Sequence, residues 1–497
     1  MDGSELRRRL DEAVAAIEVL QSENDALRER VGLLEGENRR LAAKLEALTA
    51  EGQKNSGNSS KPPSRDPVAE RARQAEARRA RRAAKAGGKA RKPGKQPGQA
   101  GKTLEMTDTP DEVVVHRPEA CGGCGGDLRD AIVAGVERRQ VTDLPEVTPT
   151  VTEHRSERLR CDGCGAETAG VFPAGVRAPV SYGPRIRAIV VYLLARQHIP
   201  VERTAEAMGD LFGVRLATGT VDAIYSDAAR RLVRFIAALV GLLRSLPVLH
   251  ADETTDRIGT VNCWMHVVST ASYTLIHASA TRGFEAIKQA GVLIGYRGVV
   301  IHDRLALYWK LRSADHGVCS AHLLRDLASV AARTTQRGWA SGLAGLLVEI
   351  NDACDDARAR GLKRLAPAVQ ASYVARYDTL VAAGLAANPE PRQRPRSPLE
   401  RQSYNLAVAF ETHKTAILAY LHRLDLPMTN NQAERDLRPV KLHRKTSSCF
   451  KSQAGADRFA RVRSYLSTTR KNDIGALEAL VRLFNDDPWM PPAPQAA

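Results

Sequence analysis

Between residues 6 and 48, apolar side chains return at two positions of a seven-residue repeat. One seam reads Leu10, Ile17, Asn24, Val31, Asn38, Leu45; the other reads Leu6, Ala13, Leu20, Leu27, Leu34, Leu41, Leu48. A stripe sustained over about six heptads predicts a coiled coil, because a period near 3.5 residues holds one helix face against a partner. Leucine on the second seam and two asparagines on the first favour a parallel homodimer, since paired buried asparagines meet in one register only. The competing expectation is an amphipathic helix laid on the chain's own core.

Beyond residue 50 the pattern changes several times. Residues 51–104 hold hardly any large apolar side chain, so they cannot bury a core and read as a flexible arm with a helix around 68–86. Residues 105–172 contain VERRQVTDLPEVTPTVTEHRSERLRC, which alternates like a hairpin. Residues 173–244 are helical in period. VERTAEAMGDLF, a turn at Gly213 and a second helix opening at Thr218 to Thr220 give helix-turn-helix spacing; ordinary helical packing has the same pattern. From 245 to 326 strand patterns take over: SLPVLHADETTDRI with Asp252 closing its apolar run, NCWMHVVST, YTLIHASAT, and YRGVVIHDRLALYW with Asp303. Residues 327–420 return to helix, with ANPEPRQRPRSP as a loop; 421–485 form a last ordered part, and 486–497 read as a disordered tail. The fold class predicted is α+β, in several domains.

Charge sharpens this. Lys and Arg number 73 against 57 Asp and Glu, a formal net charge of +16. The excess is concentrated: from Lys54 to Lys102 there are fifteen basic residues and three acidic ones. Such an arm neutralises phosphates without reading sequence, which makes DNA the expected partner. MDGSELRRRL is not a secretory leader, and FIAALVGLLRSLPVL is broken by Arg244 and Pro247, so the expected location is the cytoplasm.

Eight cysteines in such a chain are read as metal ligands before disulfides. Thirty-six residues separate the pair Cys121 and Cys124 from the pair Cys161 and Cys164, each pair a C-x-x-C followed by glycine. Two such pairs predict a four-thiolate Zn²⁺ site, structural because no coordination position stays open. Asp252 and Asp303, each at the end of an apolar strand, are costly unless paired or bound to a cation. Converging carboxylates suit Mg²⁺ or Mn²⁺ and the oxygens of a phosphate. A third acid is needed, and Glu434 in MTNNQAERDLRPVKLHRK is the applicant. Its other reading is a capping box with Asn431 at the helix start. Arg435, Arg438, Lys441, Arg444 and Lys445 follow it as candidate phosphate contacts or as plain surface charge, and Pro439 is expected to interrupt the helix before Lys441. His322 and Arg325, at helical spacing from Cys319, either line the site or belong to the core.

Taken in order, the heptads, NSSKPPSRD, KQPGQAGKTL, CGGC and CDGC, HADET, VIHDRLALYW, CSAHLLRDL, TNNQAERDLRPVKLHRK and SQAGADRFARVRSYLSTTRK resemble the transposases of the IS66 family over nearly the whole chain. The resemblance implies an RNase H-like catalytic core with a DDE set of Asp252, Asp303 and Glu434, split by a mostly helical insertion. That insertion accounts for Asp303 and Glu434 standing 131 residues apart. It implies cleavage at the ends of an insertion sequence and transfer of the 3′-hydroxyl ends to target DNA, with the terminal inverted repeats as partners and room for accessory proteins from the same element. The rival expectations are a DNA-binding regulator with an inactive nuclease-like domain, and a nuclease on the same fold that resolves branched DNA.

Overall fold

The seam of the N-terminal repeat faces solvent. In this computed structural model the described residues are 104–494, apart from 174, 177, 333–335 and 391–397, together with 16–17, 19–38 and scattered positions from 41 to 80. All described residues from 16 to 38 are helical. Ile17, Leu20, Leu27, Val31 and Leu34 are 52 to 63% exposed, so among the described residues no core of this chain covers them. Leu6, Leu10, Ala13 and Leu48 lie outside the described residues, as does most of the basic arm.

The expected hairpin between the two C-x-x-C pairs is not formed. Residues 130–157 carry no strand, and Ile132, Val141, Leu144 and Val151 are almost fully exposed. The alternation there has no second apolar layer to bury against, and a lone ribbon is marginal in water. The only strands in this region are β1 (Arg158–Arg160) and β2 (Glu167–Ala169), antiparallel about the second pair.

Four helices follow: α1 (Pro184–Val191), α2 (Val201–Phe212), α3 (Thr218–Arg231) and α4 (Val233–Ser245). Gly213 ends α2 in the left-handed region at φ 65°, a backbone state glycine enters without steric cost, and α3 starts five residues later. Next comes a five-stranded mixed sheet: β3 (Val248–Ile258), β4 (Val261–Ser269), β5 (Thr274–Ser279), β6 (Val299–His302) and β7 (Asp315–Val318), in the order β5-β4-β3-β6-β7. The first three are antiparallel neighbours; β6 lies parallel to β3 and β7 parallel to β6. Helix α5 (Phe284–Ala290) lies in the crossover from β5 to β6. This mixed α+β arrangement is consistent with an RNase H-like core.

The insertion and the closing segment are helical: α6 (Ser320–Ala331), α7 (Arg337–Ala359), α8 (Pro367–Ala387), α9 (Pro398–Thr412), the short α10 (Lys414–Ile417) and α11 (Ala419–His422), then α12 (Asn431–Ser447), α13 (Gln453–Lys471) and α14 (Ala476–Phe484). The predicted loop between α8 and α9 falls largely outside the described residues.

Strand alternation divides the sheet's side chains between two faces. Leu249, Ala251, Val268, Leu275 and Val300 join the helices before the sheet, and part of α13 and α14, in one core. On the other face, Cys263, Met265, Val267, Ile276 and Ala278 bury against Ala433, Leu437 and Val440 of α12 and against Phe459 and Ala460 of α13. Val299, Ile301 and Val318 on that same face bury against the insertion helices. The α12 layer and the insertion therefore meet above β3.

Three expectations need correction. β3 continues six residues past Asp252, because β4 pairs with it as far as Ile258. α12 passes through Pro439: a proline forfeits one hydrogen bond, and the burial of Leu437 and Val440 on either side keeps the helix together. The tail is seated rather than disordered as far as it is described. The Trp489 N–H donates to the Tyr465 hydroxyl at 3.2 Å, and its ring packs near Phe235.

The rotation of α12 is fixed by a buried ion pair. Lys471 at the end of α13 donates to Asp436 at 2.7 Å and to the carbonyls of Thr270 and Tyr273, with both side chains of the pair at most 15% exposed. Removing one member of a buried pair costs about 3–5 kcal/mol, because the other is left without its counter-charge. Lys471→Ala is therefore expected to lower the unfolding free energy of the sheet domain by about 3 kcal/mol in urea titrations; a loss below about 1 kcal/mol would show that solvent already screens the pair.

Candidate active site

Asp252 lies just past the point where two strands part. The parallel pairing of β3 and β6 covers only Val248 to His250 against Val299 to Ile301; beyond it β3 keeps β4 alone. The carboxyl ends of neighbouring parallel strands are where open α/β sheets leave room for a ligand. Asp303 follows β6 immediately. Its carboxylate accepts the Leu305 N–H at 2.9 Å, the local bond of an aspartate turn. Arg304 between them sits at φ 74°, held by its N–H on His302 and by its guanidinium on Asp326 at 2.7 Å. Glu434 lies in the first turn of α12.

These acids feel one another. Burial pushes the Asp252 carboxyl up to about 7, and the charges of Glu253, Asp303 and Glu434 add to the push. Its hydrogen bond is to the adjacent Glu253 N–H at 2.9 Å. The three carboxylates do not form a tight cage: the group of donor side chains whose ligand atoms all lie within 4.8 Å of one another, among the described residues, is Cys319, His322 and Glu434.

The neighbouring acids are treated differently. Glu253, which no sequence pattern singled out, points away from Asp252 along the strand and is almost fully buried. It accepts two bonds from Arg282, at 2.7 and 3.0 Å, and one from the Tyr308 hydroxyl at 2.7 Å. Asp326 has Arg304, and Asp436 has Lys471. Among the described residues, Asp252, Asp303 and Glu434 make no salt bridge. Asp256, four residues along β3 and fully buried, also lacks one; the charge of Arg444 opposes its raised affinity for a proton. A carboxylate kept from water without a cation is a group that gains by binding one.

The helix start differs from the capping box expected. The residue before the helix is Asn430, not Asn431, and no side-chain cap is made. Asn431 is the first helical residue and is exposed. Asn430 is buried, and its amide reaches across to β3: Nδ2 donates to the Ala251 carbonyl at 2.8 Å, and Oδ1 lies 3.0 Å from His250 Nδ1. Its own N–H donates to Cys319 Sγ at 3.1 Å. The doubled asparagine was visible in sequence, but not which of the two turns inward.

His322 is mostly buried beside the acids. Burial and Arg325 push its affinity for a proton down, while Asp303 and Glu434 oppose them. Arg325 itself bonds the Ala321 carbonyl on its own helix. Arg435, Arg438, Lys441, Arg444 and Lys445 lie along α12, all five exposed. With the helix unbroken at Pro439, Arg438 and Lys441 stand four and seven residues from Glu434, on its side of the helix.

The cysteine pairs form two matching knuckles. Cys121 N–H donates to Gly126 O and Gly125 N–H to Cys121 O; Cys161 N–H donates to Ala166 O and Gly165 N–H to Cys161 O, all at 2.8 Å. Gly125 and Gly165 take φ 74° and 68°, the left-handed turn this shape requires. Backbone N–H groups of Gly123 and Cys124 hold the Cys121 thiol below its usual range, and those of Cys164 and Gly163 do the same for Cys161. Each pair is thus shaped as a ligand pair, but the structure does not gather the four sulfurs into one group. No apolar core between 130 and 157 draws them together, and in small thiolate modules the ion itself supplies that energy.

The shift on Asp252 has a measurable consequence. A carboxyl harder to ionise in the folded chain than in the unfolded one favours folding while it stays protonated. That contribution is lost as pH rises from about 4 through about 7. Without added Mg²⁺ or Mn²⁺, the melting temperature of the wild type is expected to fall over this range relative to Asp252→Asn. Parallel melting curves for the two proteins would remove the shift.

A family model described as "Transposase IS66 family" matches residues 179–458, the span that holds the sheet, all three acids and the insertion. A second, the zinc-finger binding domain of transposase IS66, matches 118–165 and takes in all four knuckle cysteines; a family of unknown function, DUF6444, matches 2–103. Among curated relatives, an uncharacterized protein of Sinorhizobium fredii, y4hP, is 25% identical over 415 residues, covering 73% of this chain and 70% of its own. Among the described residues no helix is long and apolar enough to cross a membrane. With more than half of its length matched by the transposase model, and the zinc-finger model preceding it in order, this chain belongs to the IS66 family of transposases.

Proposed function

We propose that the chain cuts DNA strands at the ends of its own element and joins the freed 3′-hydroxyls to target DNA, with Asp252, Asp303 and Glu434 as the catalytic acids. The observation that supports this most is the contrast in pairing. Glu253, Asp326 and Asp436 all have arginine or lysine partners, whereas the three acids carried by β3, the end of β6 and the start of α12 have none among the described residues. Asp252, Asp303 and Glu434 would hold Mg²⁺ or Mn²⁺, which would supply activation of the attacking oxygen and stabilisation of the leaving one.

The chain's own residues do the positioning. Asp252 is held on a strand paired over nine residues with β4, so its place does not depend on a loop. Asp303 is fixed by its turn, and Glu434 by a helix whose start is bonded to β3. Preorganised charge of this kind contributes to the rate because it needs no rearrangement when the phosphorane-like charge develops. Arg438 and Lys441, exposed on the Glu434 side of α12, lie where DNA phosphates approach, and the fork of Arg438 suits a phosphate's paired oxygens. The four knuckle cysteines hold a structural Zn²⁺, and the exposed N-terminal seam pairs two chains as a parallel coiled coil, which would present two catalytic centres to two ends.

Strand cleavage and strand transfer with the element's own terminal repeats, in Mg²⁺, test the assignment. Asp252→Asn, Asp303→Asn and Glu434→Gln are each expected to lower both steps by about 10³-fold or more, since the metal contributes several kcal/mol to the transition state. Their binding to end DNA should stay within a few-fold. Equal cleavage by wild type and variants would overturn the assignment of the acids; end DNA bound by wild type without any cleavage would leave a DNA-binding regulator, and cleaved branched substrates without joined product a resolving nuclease.

The basic face gives an independent measurement. Replacing Arg438 and Lys441 together by glutamine is expected to flatten the dependence of log affinity on log salt by about one to two units, roughly one for each phosphate that a side chain neutralises. The weakening should be uniform across DNA sequences. An unchanged slope would mark these residues as plain surface charge.

A further inference from the structure

Glu434 has a second set of neighbours besides the two aspartates. Cys319 and His322 stand three residues apart across the start of α6, and their donor atoms lie within 4.8 Å of each other and of a Glu434 oxygen. A tetrahedral ion with bonds of about 2.0–2.3 Å needs donors about 3.5 Å apart, so small side-chain rotations close the set. All three donors are available. Cys319 Sγ accepts the Asn430 N–H and sits at the N-terminal end of a twelve-residue helix; burial raises the thiol's affinity for its proton, and these N–H groups oppose that rise. His322 Nδ1 is buried with no hydrogen-bond partner. Glu434 makes no salt bridge among the described residues. The backbone under the set is fixed as well: the Cys319 N–H donates to His302 O at 2.8 Å and the Ser320 N–H to Met428 O at 3.0 Å.

Sulfur and imidazole are poor ligands for Mg²⁺, which wants an octahedron of oxygens, and good ligands for Zn²⁺. We propose that Cys319, His322 and Glu434 form a second cation site, specific for Zn²⁺, whose filling draws Glu434 away from Asp252 and Asp303 and switches the centre off. On binding, the Cys319 S–H bond breaks, an S–Zn bond forms and the proton leaves to solvent. Three protein ligands leave the fourth position to water. The binding half of this proposal stands on the geometry alone; the switching half rests on the assignment of Glu434 to the catalytic acids.

The test uses the full chain with both C-x-x-C pairs intact. After dialysis against buffered Zn²⁺, elemental analysis is expected to find one more zinc ion per chain in wild type than in Cys319→Ser or His322→Gln. Circular dichroism establishes that each variant is folded. Should Cys319→Ser fold poorly, His322→Gln, less deeply buried, carries the comparison. Equal zinc content in wild type and the folded variants overturns the site. In Mg²⁺-supported strand cleavage, added zinc is expected to depress wild type about tenfold more than Cys319→Ser, each relative to its own zinc-free rate, as two ions competing for one ligand require. Equal inhibition overturns the switch. A wild type that loses zinc on substitution but never cleaves DNA would keep the site and sink the catalytic reading of Glu434.

Discussion

Asn430 is bonded on three sides at once. Its side-chain amide donates to Ala251 O, its side-chain oxygen meets His250, and its backbone N–H donates to Cys319 Sγ. Cys319 in turn donates its N–H to His302 O. Each acid is covalently close to a member of this relay. Asp252 follows Ala251, Asp303 follows His302, and the Glu434 N–H donates to Asn430 O. One continuous run of hydrogen bonds therefore ties together the three segments that carry the carboxylates, although two of them are separated by the whole insertion. Left unmade, such bonds would strand buried polar groups at about 1–3 kcal/mol each, which is why the relay holds the segments to one geometry.

Like charges gathered in a partly buried place repel, and among the described residues the fold gives Asp252, Asp303 and Glu434 no cationic side chain in a salt bridge. It places its cations elsewhere, on Glu253, Asp326 and Asp436, whose pairs brace the strands and helices around the site. The framework is thereby braced, while the three acids keep no salt-bridge partner of the chain's own among the described residues. That division is what a cation site requires, because a carboxylate already paired with arginine has little to gain from a metal.

Much of this was legible in sequence, and the reasons differ by element. The strand patterns around Asp252 and Asp303 were plain because both faces of these strands are buried, which leaves a continuous apolar run before each aspartate. The two aspartates were singled out because a carboxylate closing an apolar strand is rare and calls for a reason. Glu253 was not recognised, since its partners Arg282 and Tyr308 lie 29 and 55 residues away and no local pattern announces them. The inward turn of Asn430 in place of Asn431 depends on where the helix begins, a one-residue matter that periodicity cannot decide. The hairpin expected between the knuckles failed for the opposite reason: its alternation was real, but alternation needs a second surface to bury against, and residues 130–157 have none.

The insertion shows why the spacing of the acids along the chain matters so little. Closing a loop costs an entropy that grows only with the logarithm of its length, so many added residues between Asp303 and Glu434 are tolerable if they fold on their own account. They do so by packing on the sheet. Val299, Ile301 and Val318 present to α6, α7 and the later insertion helices the same face that β4 and β5 present to α12. The insertion is thus packed on the strand that leads to Asp303, and its first helix starts at Cys319, one bond from Asn430. A segment in that position cannot shift without moving β6 and the start of α12 together.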